Sequence, residues 1–259
     1  MLGLDEFLDE RIERGREDVS WSTMAAILTI ARFCEPASEL HIADTWYRRT
    51  ALEEFLGATP EQIHTDRLYK ALDQLLPHKE ALESHLRQRL GDLFELKCDL
   101  LLYDVTSTYF EGEMTGCPIA QRGYSRDSRG DRPQVCIGLV VTEDGFPLGY
   151  EVFAGNTHDS QTVKTIIEAM EKKHGTLNRV WVMDRGMVSE ENLKYLRERG
   201  AQYIVGTPKA MLRQFEKHLV EQNWTTAQEG VEVKLVPGPD GEETFILARS
   251  ADRRCKEQA

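Results

Sequence analysis

The stretch LLLYDVT, residues 100–106, has the pattern of a buried strand and marks the start of the predicted sheet. Four apolar residues precede Asp104, and β-branched side chains, which favour strands, follow it. Earlier in the chain, between residues 21 and 31, apolar residues recur three and four positions apart, which is the period of a helix. The sequence therefore predicts four or five packed helices up to about Leu96 and a sheet that begins at Asp99.

Strand and helix patterns alternate after this first strand. Residues 135–141 and 148–153 are apolar runs joined through Gly145, which predicts an antiparallel hairpin. The further predicted elements are a helix at 161–174 with Asp159 as its expected N-cap, a strand at 180–183, a helix at 189–199, a strand at 203–205 and a helix that begins at Thr207. This order predicts the α/β class, with a mixed sheet and helices on its faces.

The composition is that of a folded chain with a net negative charge. Of the 259 residues, 41% are hydrophobic, and the formal charge is -12. The apolar stretches fall short of the roughly 18 to 20 residues that a membrane span requires, and the acidic first ten residues lack the pattern of a secretory signal. The five cysteines are scattered, without the spacing of a zinc site or a disulfide framework. We therefore expect a cytoplasmic protein with no membrane partner.

The negative charge argues against a nucleic-acid partner until its distribution is considered. Residues 1–99 contain 12 Lys and Arg residues against 20 Asp and Glu residues, so this region holds two thirds of the excess. The helical region is expected to have a charged outer face, whereas the sheet region is closer to neutral. A DNA-binding surface in the sheet region stays compatible with the composition, because DNA contact needs only a local cationic surface.

Two carboxylates follow predicted strands. Asp104 ends the apolar run at 100–103, and Asp184 ends the run at 180–183. If the two strands lie parallel and side by side, their backbones are about 4.8 Å apart and the carboxylates share one edge of the sheet. Two such charges call for a cation, and oxygen ligands favour Mg²⁺ or Mn²⁺. The alternative is that each aspartate caps a turn at a strand end.

The loop at residues 116–134, which we call the arginine loop, is locally positive. Its candidate DNA-binding side chains are Arg122, Tyr124, Arg126, Arg129 and Arg132. Guanidinium groups bind backbone phosphates, and a tyrosine can stack on a base. Lys209, at the start of a predicted helix, is a further candidate. The alternative is a solvated loop in which Asp127 and Asp131 neutralise the arginines beside them.

Five sequence blocks, in this order, resemble the DDE transposases of bacterial insertion sequences and, within them, the family-four group. The blocks are LLYDVTSTYFEG at 101–112, RGYSRD at 122–127, GFPLGYEVFAGNTHD at 145–159, VMDRGMVS at 182–189 and YIVGTPK at 203–209. The resemblance implies a ribonuclease H-like fold in which Asp104 and Asp184 are the first two catalytic, metal-binding acids. It also implies two Mg²⁺ or Mn²⁺ ions, cleavage of transposon ends, strand transfer into target DNA, a homodimer and a location at the bacterial nucleoid.

The third acid of this family has no counterpart in the sequence. The family carries it as a glutamate within Y-x-x-R-x-x-x-E-x-x-x-x-x-x-K, and the chain reaches Ala259 without that pattern. We therefore expect a truncated transposase that is inactive alone. The expected divisions are a helical region at 1–98, an incomplete catalytic core at 99–228 and the start of a β-rich insertion at 229–259, with a hairpin at 231–236 and 244–248.

Three other functions stay open at this point. A phosphohydrolase of the haloacid dehalogenase type would need a second aspartate where Thr106 stands. A different ribonuclease H-like nuclease, such as a junction resolvase, would keep the two acids but lack the RGYSRD loop. The main alternative is a remnant that only binds DNA or pairs with intact transposase through its helical region.

Overall fold

The computed structural model describes residues 2–94, 99–175, 179–207, 209–238, 241 and 243–253. Helices make up the first part of the chain, and two sheets with flanking helices make up the rest. No described helix is long and apolar enough to cross a membrane. Cys34, Cys117 and Cys136 are free thiols, whereas Cys98 and Cys255 lie outside the described residues.

The amino-terminal region is helical, as its apolar period predicts. Its α-helices are α1 (Leu4–Asp9), α2 (Trp21–Cys34), α3 (Glu39–His41), α4 (Leu52–Leu56), α5 (Thr65–Leu75) and α6 (Lys79–Phe94). Helix α2 begins where the Ser20 hydroxyl accepts a hydrogen bond from the Thr23 amide at 3.1 Å. Met24 and Ile27 of that helix share a fully buried core with Leu68 of α5. Four of the six helices are longer than five residues, in line with the expected number.

The next region forms a five-stranded mixed sheet of order β3-β2-β1-β4-β5. Its strands are β1 (Leu100–Tyr109), β2 (Gln134–Thr142), β3 (Pro147–Ala154), β4 (Val180–Met183) and β5 (Gln202–Val205). The first three pair antiparallel, and β4 lies parallel to both β1 and β5. Helix α7 (Asp159–His174) joins β3 to β4, and α8 (Glu190–Glu198) joins β4 to β5. This topology confirms the expected ribonuclease H-like mixed sheet.

One face of this sheet packs on α7 and α8, and we call it the covered face. Leu101, Tyr103 and Val105 of β1 lie on it, each at most 3% exposed, where they share a core with Ile166 and Met170 of α7. The burial alternates from Leu100 to Thr106, so every second residue in this part of β1 belongs to the core. The covered face therefore holds the apolar core of this region.

The opposite side of the sheet, which we call the open face, keeps large apolar side chains accessible. Leu139 of β2 is 41% exposed, Val152 of β3 is 43% exposed and Ile204 of β5 is 48% exposed. An apolar groove of about 480 Å³ lies between this part of the sheet and helices α5 and α6. The open face is thus only partly covered by the described residues.

Charged side chains join α6 to the sheet and to α7. Lys79 of α6 donates to the Tyr150 carbonyl at 2.6 Å, and Glu83 accepts from Lys173 of α7 at 2.7 Å. Lys173 also lies 3.3 Å from Glu151 of β3. These contacts fix the helical region against the β3 edge of the sheet.

A second, three-stranded antiparallel sheet follows a 3₁₀-helix (Lys209–Phe215) and α9 (Glu216–Val220). Its strands are β6 (Thr225–Gln228), β7 (Val231–Pro237) and β8 (Thr244–Ser250), so the expected hairpin is confirmed in longer form. Strand β6 escaped prediction because its sequence, TTAQ, has no apolar alternation and all four residues are exposed. The division at residue 229 stays a prediction, and β6 precedes it.

Two details of the predicted elements are wrong. Strand β1 continues to Tyr109, so Asp104 lies inside the strand, because β2 pairs with β1 as far as Tyr109. Helix α7 begins at Asp159, and its N-cap is His158, whose amide donates a hydrogen bond to Gln161 Oε1 at 3.2 Å. The expected N-cap role of Asp159 is therefore wrong, and its carboxylate is available for another contact.

Candidate functional site

Asp104 and Asp184 lie at the same level on neighbouring strands. In the parallel pairing of β1 and β4, Tyr103 stands opposite Met183, and each aspartate is the next residue along its chain. Asp184 directly follows β4 and keeps extended backbone angles (φ -73°, ψ 161°). Tyr103 and Met183 both belong to the covered core, so strand alternation turns the two aspartates to the open face. The structure thus brings the two candidate acids together.

Neither carboxylate is neutralised by a described residue. Both aspartates are exposed, and neither forms an ion pair within the part of the chain that the structure describes. One oxygen of Asp104 accepts a hydrogen bond from the Val105 amide at 2.8 Å, which restrains the side chain against its own strand. The described residues contain no group of three or more His, Cys, Asp and Glu residues arranged to hold a metal ion.

The chemistry of these donors fits a hard divalent cation. Neighbouring strands lie about 4.8 Å apart, and two carboxylates at that spacing repel each other unless a cation lies between them. Mg²⁺ is commonly held by one or two carboxylates, and water and substrate phosphate complete its coordination. Because both aspartates are exposed, Mg²⁺ or Mn²⁺ with its waters has room in front of them.

Two arginines of the arginine loop form ion pairs with acidic residues in the loop or near it. Arg129 pairs with Asp131 at 3.1 Å and with Glu111 at 3.4 Å. Arg132 pairs with the same two carboxylates, each at 3.3 Å. The hydrogen bond from Arg129 lowers the pKa of the Asp131 carboxyl. At these two positions the structure has the self-paired arrangement, one of the two alternatives that the sequence leaves open.

The other candidate DNA-binding residues are less engaged. Arg126 Nη2 donates to Asp159 Oδ2 at 3.0 Å, and the remaining nitrogens of its side chain have no partner among the described residues. Arg122 is exposed and forms no ion pair within the described ranges. Tyr124, between the two arginines, is 86% exposed. The side chain of Lys209 lies outside what the structure describes.

The backbone of the arginine loop is anchored although its side chains are exposed. A Cβ atom at Gly123 would stand 2.1 Å from the Gly155 carbonyl oxygen, so only glycine allows this approach. The Gln134 amide, which is 1% exposed, donates to the carbonyls of Tyr124 at 3.0 Å and Gly155 at 2.8 Å. The loop is therefore held against the turn that precedes α7.

A cavity of about 380 Å³ lies between the arginine loop, β1 and the start of α7. Its lining includes Ser107, Tyr124, Arg126, Asp159 and Gly186. Gly186 lies in the turn after Asp184, and Val105 and Ser107 follow Asp104 on β1, but Val105 belongs to the covered face, so the cavity lies on the α7 side of the strand that carries Asp104. Tyr124 and Arg126 therefore line the cavity between β1 and α7, whereas Arg129 and Arg132 pair with Glu111, beyond the end of β1.

Three residues of this site escaped sequence reasoning. Asp159 pairs with Arg126, and Gln134 anchors the loop. Asn192 of α8, 4% exposed, donates to the carbonyls of Ser160 at 2.7 Å and Met187 at 2.8 Å, which ties α7 to the turn after Asp184. A single amide or carboxylate has no periodic signature, and the glycine of GNTHD is the one sequence feature of this turn that could have suggested a close approach of two backbones.

The chain matches the family model described as transposase DDE domain over residues 99–233, just over half of its length. No curated protein matches it. Among solved structures, a piggyBac transposase synaptic complex with hairpin DNA is 11% identical, with a TM-score of 0.40 over 96% of this chain. A Mos1 transposase paired-end complex with the left transposon end is 11% identical, with a TM-score of 0.30 over 84% of this chain and 70% of that chain. A Mos1 catalytic domain with raltegravir and Mn is 10% identical, with a TM-score of 0.30 over 59% of this chain and 75% of that chain.

This chain spans 57% of the length of the piggyBac chain that it matches. Identities and TM-scores at this level are too low to assign a function. The family match is different in kind, because it runs from the residue before β1 into β7 and includes both Asp104 and Asp184. On that match, the chain belongs to the transposase DDE domain family.

Proposed function

We propose that this chain is the DNA-recombining part of an insertion-sequence transposase, within the family-four group that its sequence blocks resemble. In the complete enzyme it cleaves transposon ends and transfers the freed 3′ end into target DNA, at the nucleoid of a bacterial cell. The observation that supports this most strongly is the pairing of Asp104 and Asp184. They are adjacent in register, exposed and without an ionic partner among the described residues, inside the matched domain.

Asp104 and Asp184 are the residues that would hold the catalytic ions. Asp104 would hold both ions, and Asp184 would hold one of them. Two bound Mg²⁺ or Mn²⁺ ions supply charge stabilisation at the attacking and leaving oxygens of an in-line phosphoryl transfer. The chain's own contribution is geometric, because β1 and β4 fix the two carboxylates on a paired sheet. The Val105 amide further restrains Asp104. Exposure on the open face gives a scissile phosphate direct access to both acids.

Arg122, Tyr124 and Arg126 provide the first DNA contacts of this proposal. Arg122 has no ionic partner in the described part of the chain, and Arg126 keeps donors unused beside the cavity between β1 and α7. Arg129 and Arg132 contribute only as far as DNA phosphates compete with Glu111 and Asp131 for them. Lys209 keeps its place as a candidate on sequence grounds alone.

A complete two-ion site needs more ligands than the described residues supply. We therefore propose that the 259-residue chain by itself binds DNA and a divalent ion but cuts DNA very little. The active form would be a homodimer of the complete enzyme, in which the third carboxylate is present. The shortage of ligands also favours the second candidate function, a remnant that binds DNA without catalysis.

The test measures the affinity of the chain for a short duplex of mixed sequence, with and without Mg²⁺, at constant ionic strength. Mg²⁺ should raise the affinity several-fold for the unaltered chain, because an ion held by Asp104 and Asp184 would attract a DNA phosphate. Asp104→Asn and Asp184→Asn should remove this Mg²⁺ effect. Asp99→Asn is the matched control, since it makes the same change just before β1, and it should keep the effect.

Two outcomes of this test contradict the proposal. One is a chain that does not bind the duplex at low salt, and the other is a Mg²⁺ effect that survives in both variants. Nicking of supercoiled plasmid in Mn²⁺ distinguishes the two candidate functions. A nick that is lost in Asp104→Asn indicates catalysis by this chain, whereas salt-sensitive binding without any nick indicates a DNA-binding remnant.

A further inference from the structure

The contact between Arg126 and Asp159 joins the arginine loop to the first residue of α7. Arg126 Nη2 lies 3.0 Å from Asp159 Oδ2, and the two residues are 33 positions apart in sequence. Both side chains are partly exposed, at 38% and 33%, and both line the cavity beside β1. This pair differs from the arginines nearby, because Arg129 and Arg132 each contact two carboxylates and Arg126 contacts one.

Asp159 is held in place from several sides. It is the first residue of a 16-residue helix, where a negative charge is favourable. Its carbonyl accepts a hydrogen bond from the Thr162 hydroxyl at 2.6 Å, and that hydroxyl accepts one from buried Tyr103, the neighbour of Asp104. A Cβ atom at Gly186 would stand 3.1 Å from Asp159 Oδ2, so the turn after Asp184 packs directly on this carboxylate.

Arg126 is held in one position, and most of its N–H donors have no partner among the described residues. A guanidinium has five N–H donors in a fixed fork, and one nitrogen of Arg126 is used by Asp159. The Arg126 amide also approaches Ser107 Oγ at 3.5 Å, so backbone and side chain both stay near β1. An ion pair that immobilises an arginine in a phosphate-binding surface reduces the entropy lost when a phosphate binds.

We infer that Asp159 is a positioning residue, which holds the Arg126 guanidinium ready for a DNA backbone phosphate at the mouth of the cavity between β1 and α7. This inference rests on the proposed function, since it names the residue that aligns one of the proposed DNA contacts. The inference predicts that the Asp159 carboxylate strengthens DNA binding, whereas an acidic side chain near DNA ordinarily weakens it. Removing an ordinary acid reduces repulsion and strengthens binding, whereas removing Asp159 releases Arg126 and weakens it.

The test measures binding of the chain to a mixed-sequence duplex in Ca²⁺ over a range of salt concentrations. Asp159→Asn should lower the affinity about 3-fold to 10-fold and reduce the slope of log affinity against log salt by about 1, the value for one lost phosphate contact. Asp127→Asn is the matched control. It removes an acid from the same loop, one that has no ion pair among the described residues, and it should raise the affinity slightly.

A double-mutant cycle shows whether Asp159 acts on DNA affinity through Arg126. In an Arg126→Ala background, Asp159→Asn should have little further effect, because the residue that it positions is gone. An equal loss in both backgrounds overturns the inference, since Asp159 would then act through the fold. Tighter binding of Asp159→Asn, with an unchanged or steeper salt slope, also overturns it, because Asp159 would then only mask Arg126.

Arg126→Lys tests the same point if Asp159→Asn fails to fold. It keeps the charge but loses the fork that reaches a carboxylate and a phosphate together, so its affinity should fall nearly as far as that of Arg126→Ala. Affinity equal to that of the unaltered chain would overturn the inference. Failure of the unaltered chain to bind DNA at all would instead count against the proposed function.

Discussion

The two faces of the five-stranded sheet are built from the same strands but have opposite characters. On the covered face, Tyr103 of β1 is 3% exposed and shares a core with α7. On the open face, its neighbour Asp104 is exposed, and Leu139, opposite Asp104 on β2, is 41% exposed. Residues that are adjacent in sequence therefore serve different purposes. One face provides the stability that the other face, with its unneutralised carboxylates, does not.

This difference explains how two like charges are tolerated on neighbouring strands. Bringing Asp104 beside Asp184 is unfavourable in the absence of a cation. The cost is offset by burial on the other side of the same strands, where Leu101, Tyr103 and Met183 lie in the core. The division of roles between the two faces has measurable consequences for stability and for DNA binding.

The same substitution on each face should give unequal losses of stability. Ile166→Ala, in the covered core at 0% exposure, should lower the free energy of unfolding by about 3 kcal/mol, because it leaves a cavity. Ile204→Ala, on the open face at 48% exposure, should cost less than about 1 kcal/mol. Urea denaturation measures both values. Equal losses would show that the open face is covered in solution and would contradict the difference between the two faces.

The junction between α6 and α7 should make stability depend on pH. Burial, reinforced by the positive charges of Arg87, Arg179 and Lys173, lowers the pKa of His174 to about 4. In the unfolded chain this pKa is about 6.5. Between these values the unfolded state takes up a proton that the folded state does not, so the unfolding free energy falls as the pH falls.

The loss attributable to His174 should be about 1 to 2 kcal/mol, since the ring is partly exposed and solvent reduces the effect. Thermal or urea unfolding between pH 7 and about pH 4 gives the profile for the unaltered chain and for His174→Gln. The variant should show a shallower decline over this interval. Parallel profiles for the two proteins would contradict this role of His174.

Tyr103→Phe should separate stability from chemistry at adjacent residues. The Tyr103 hydroxyl donates to Thr162 Oγ1 at 2.6 Å, and burial raises the pKa of Tyr103 well above its usual value, so the group stays a neutral donor. Loss of this hydrogen bond should cost about 1 kcal/mol of unfolding free energy. The Mg²⁺ effect on DNA affinity should be unchanged. If it disappears, the covered face contributes directly to the acid site.

Glu111→Gln should have the smallest effect. Arg129 and Arg132 keep Asp131 as a partner, and exposed ion pairs contribute little to stability, so the unfolding free energy should change by less than about 0.5 kcal/mol. DNA affinity should rise about 2-fold because one competing carboxylate is gone. Fluorescence anisotropy with a labelled duplex measures the change. A fall in affinity would mean that Glu111 itself organises the DNA-binding surface.

The strands and the acid pair are the parts that local sequence predicts. The runs before Asp104 and Asp184 have the composition of buried strands, and the preference for right-handed crossovers places such strands side by side. The continuation of β1 to Tyr109 was not predictable in the same way. Its last residues are polar, and they form a strand because β2 pairs with them.

The surroundings of the acids depend on contacts between distant segments, and sequence patterns do not report these. Arg126 meets Asp159 because Gly123 and Gly155 allow two backbones to touch. The composition of the arginine loop is equally compatible with a DNA-binding surface and with a loop whose arginines pair with its own aspartates. Only the placement of Glu111 and Asp131 distinguishes Arg129 and Arg132 from Arg126.

The pairing of Asp104 and Asp184 around a divalent ion is tested most directly by iron-directed cleavage of the polypeptide itself. Fe²⁺ bound in place of Mg²⁺ generates hydroxyl radicals with ascorbate and peroxide, and even a weakly held ion cuts the backbone beside it. Cuts are expected near residues 104 and 184, to be suppressed by excess Mg²⁺ and absent in Asp104→Asn and Asp184→Asn. Cuts elsewhere, or cuts at these positions that persist in both variants, would contradict the existence of a shared metal site.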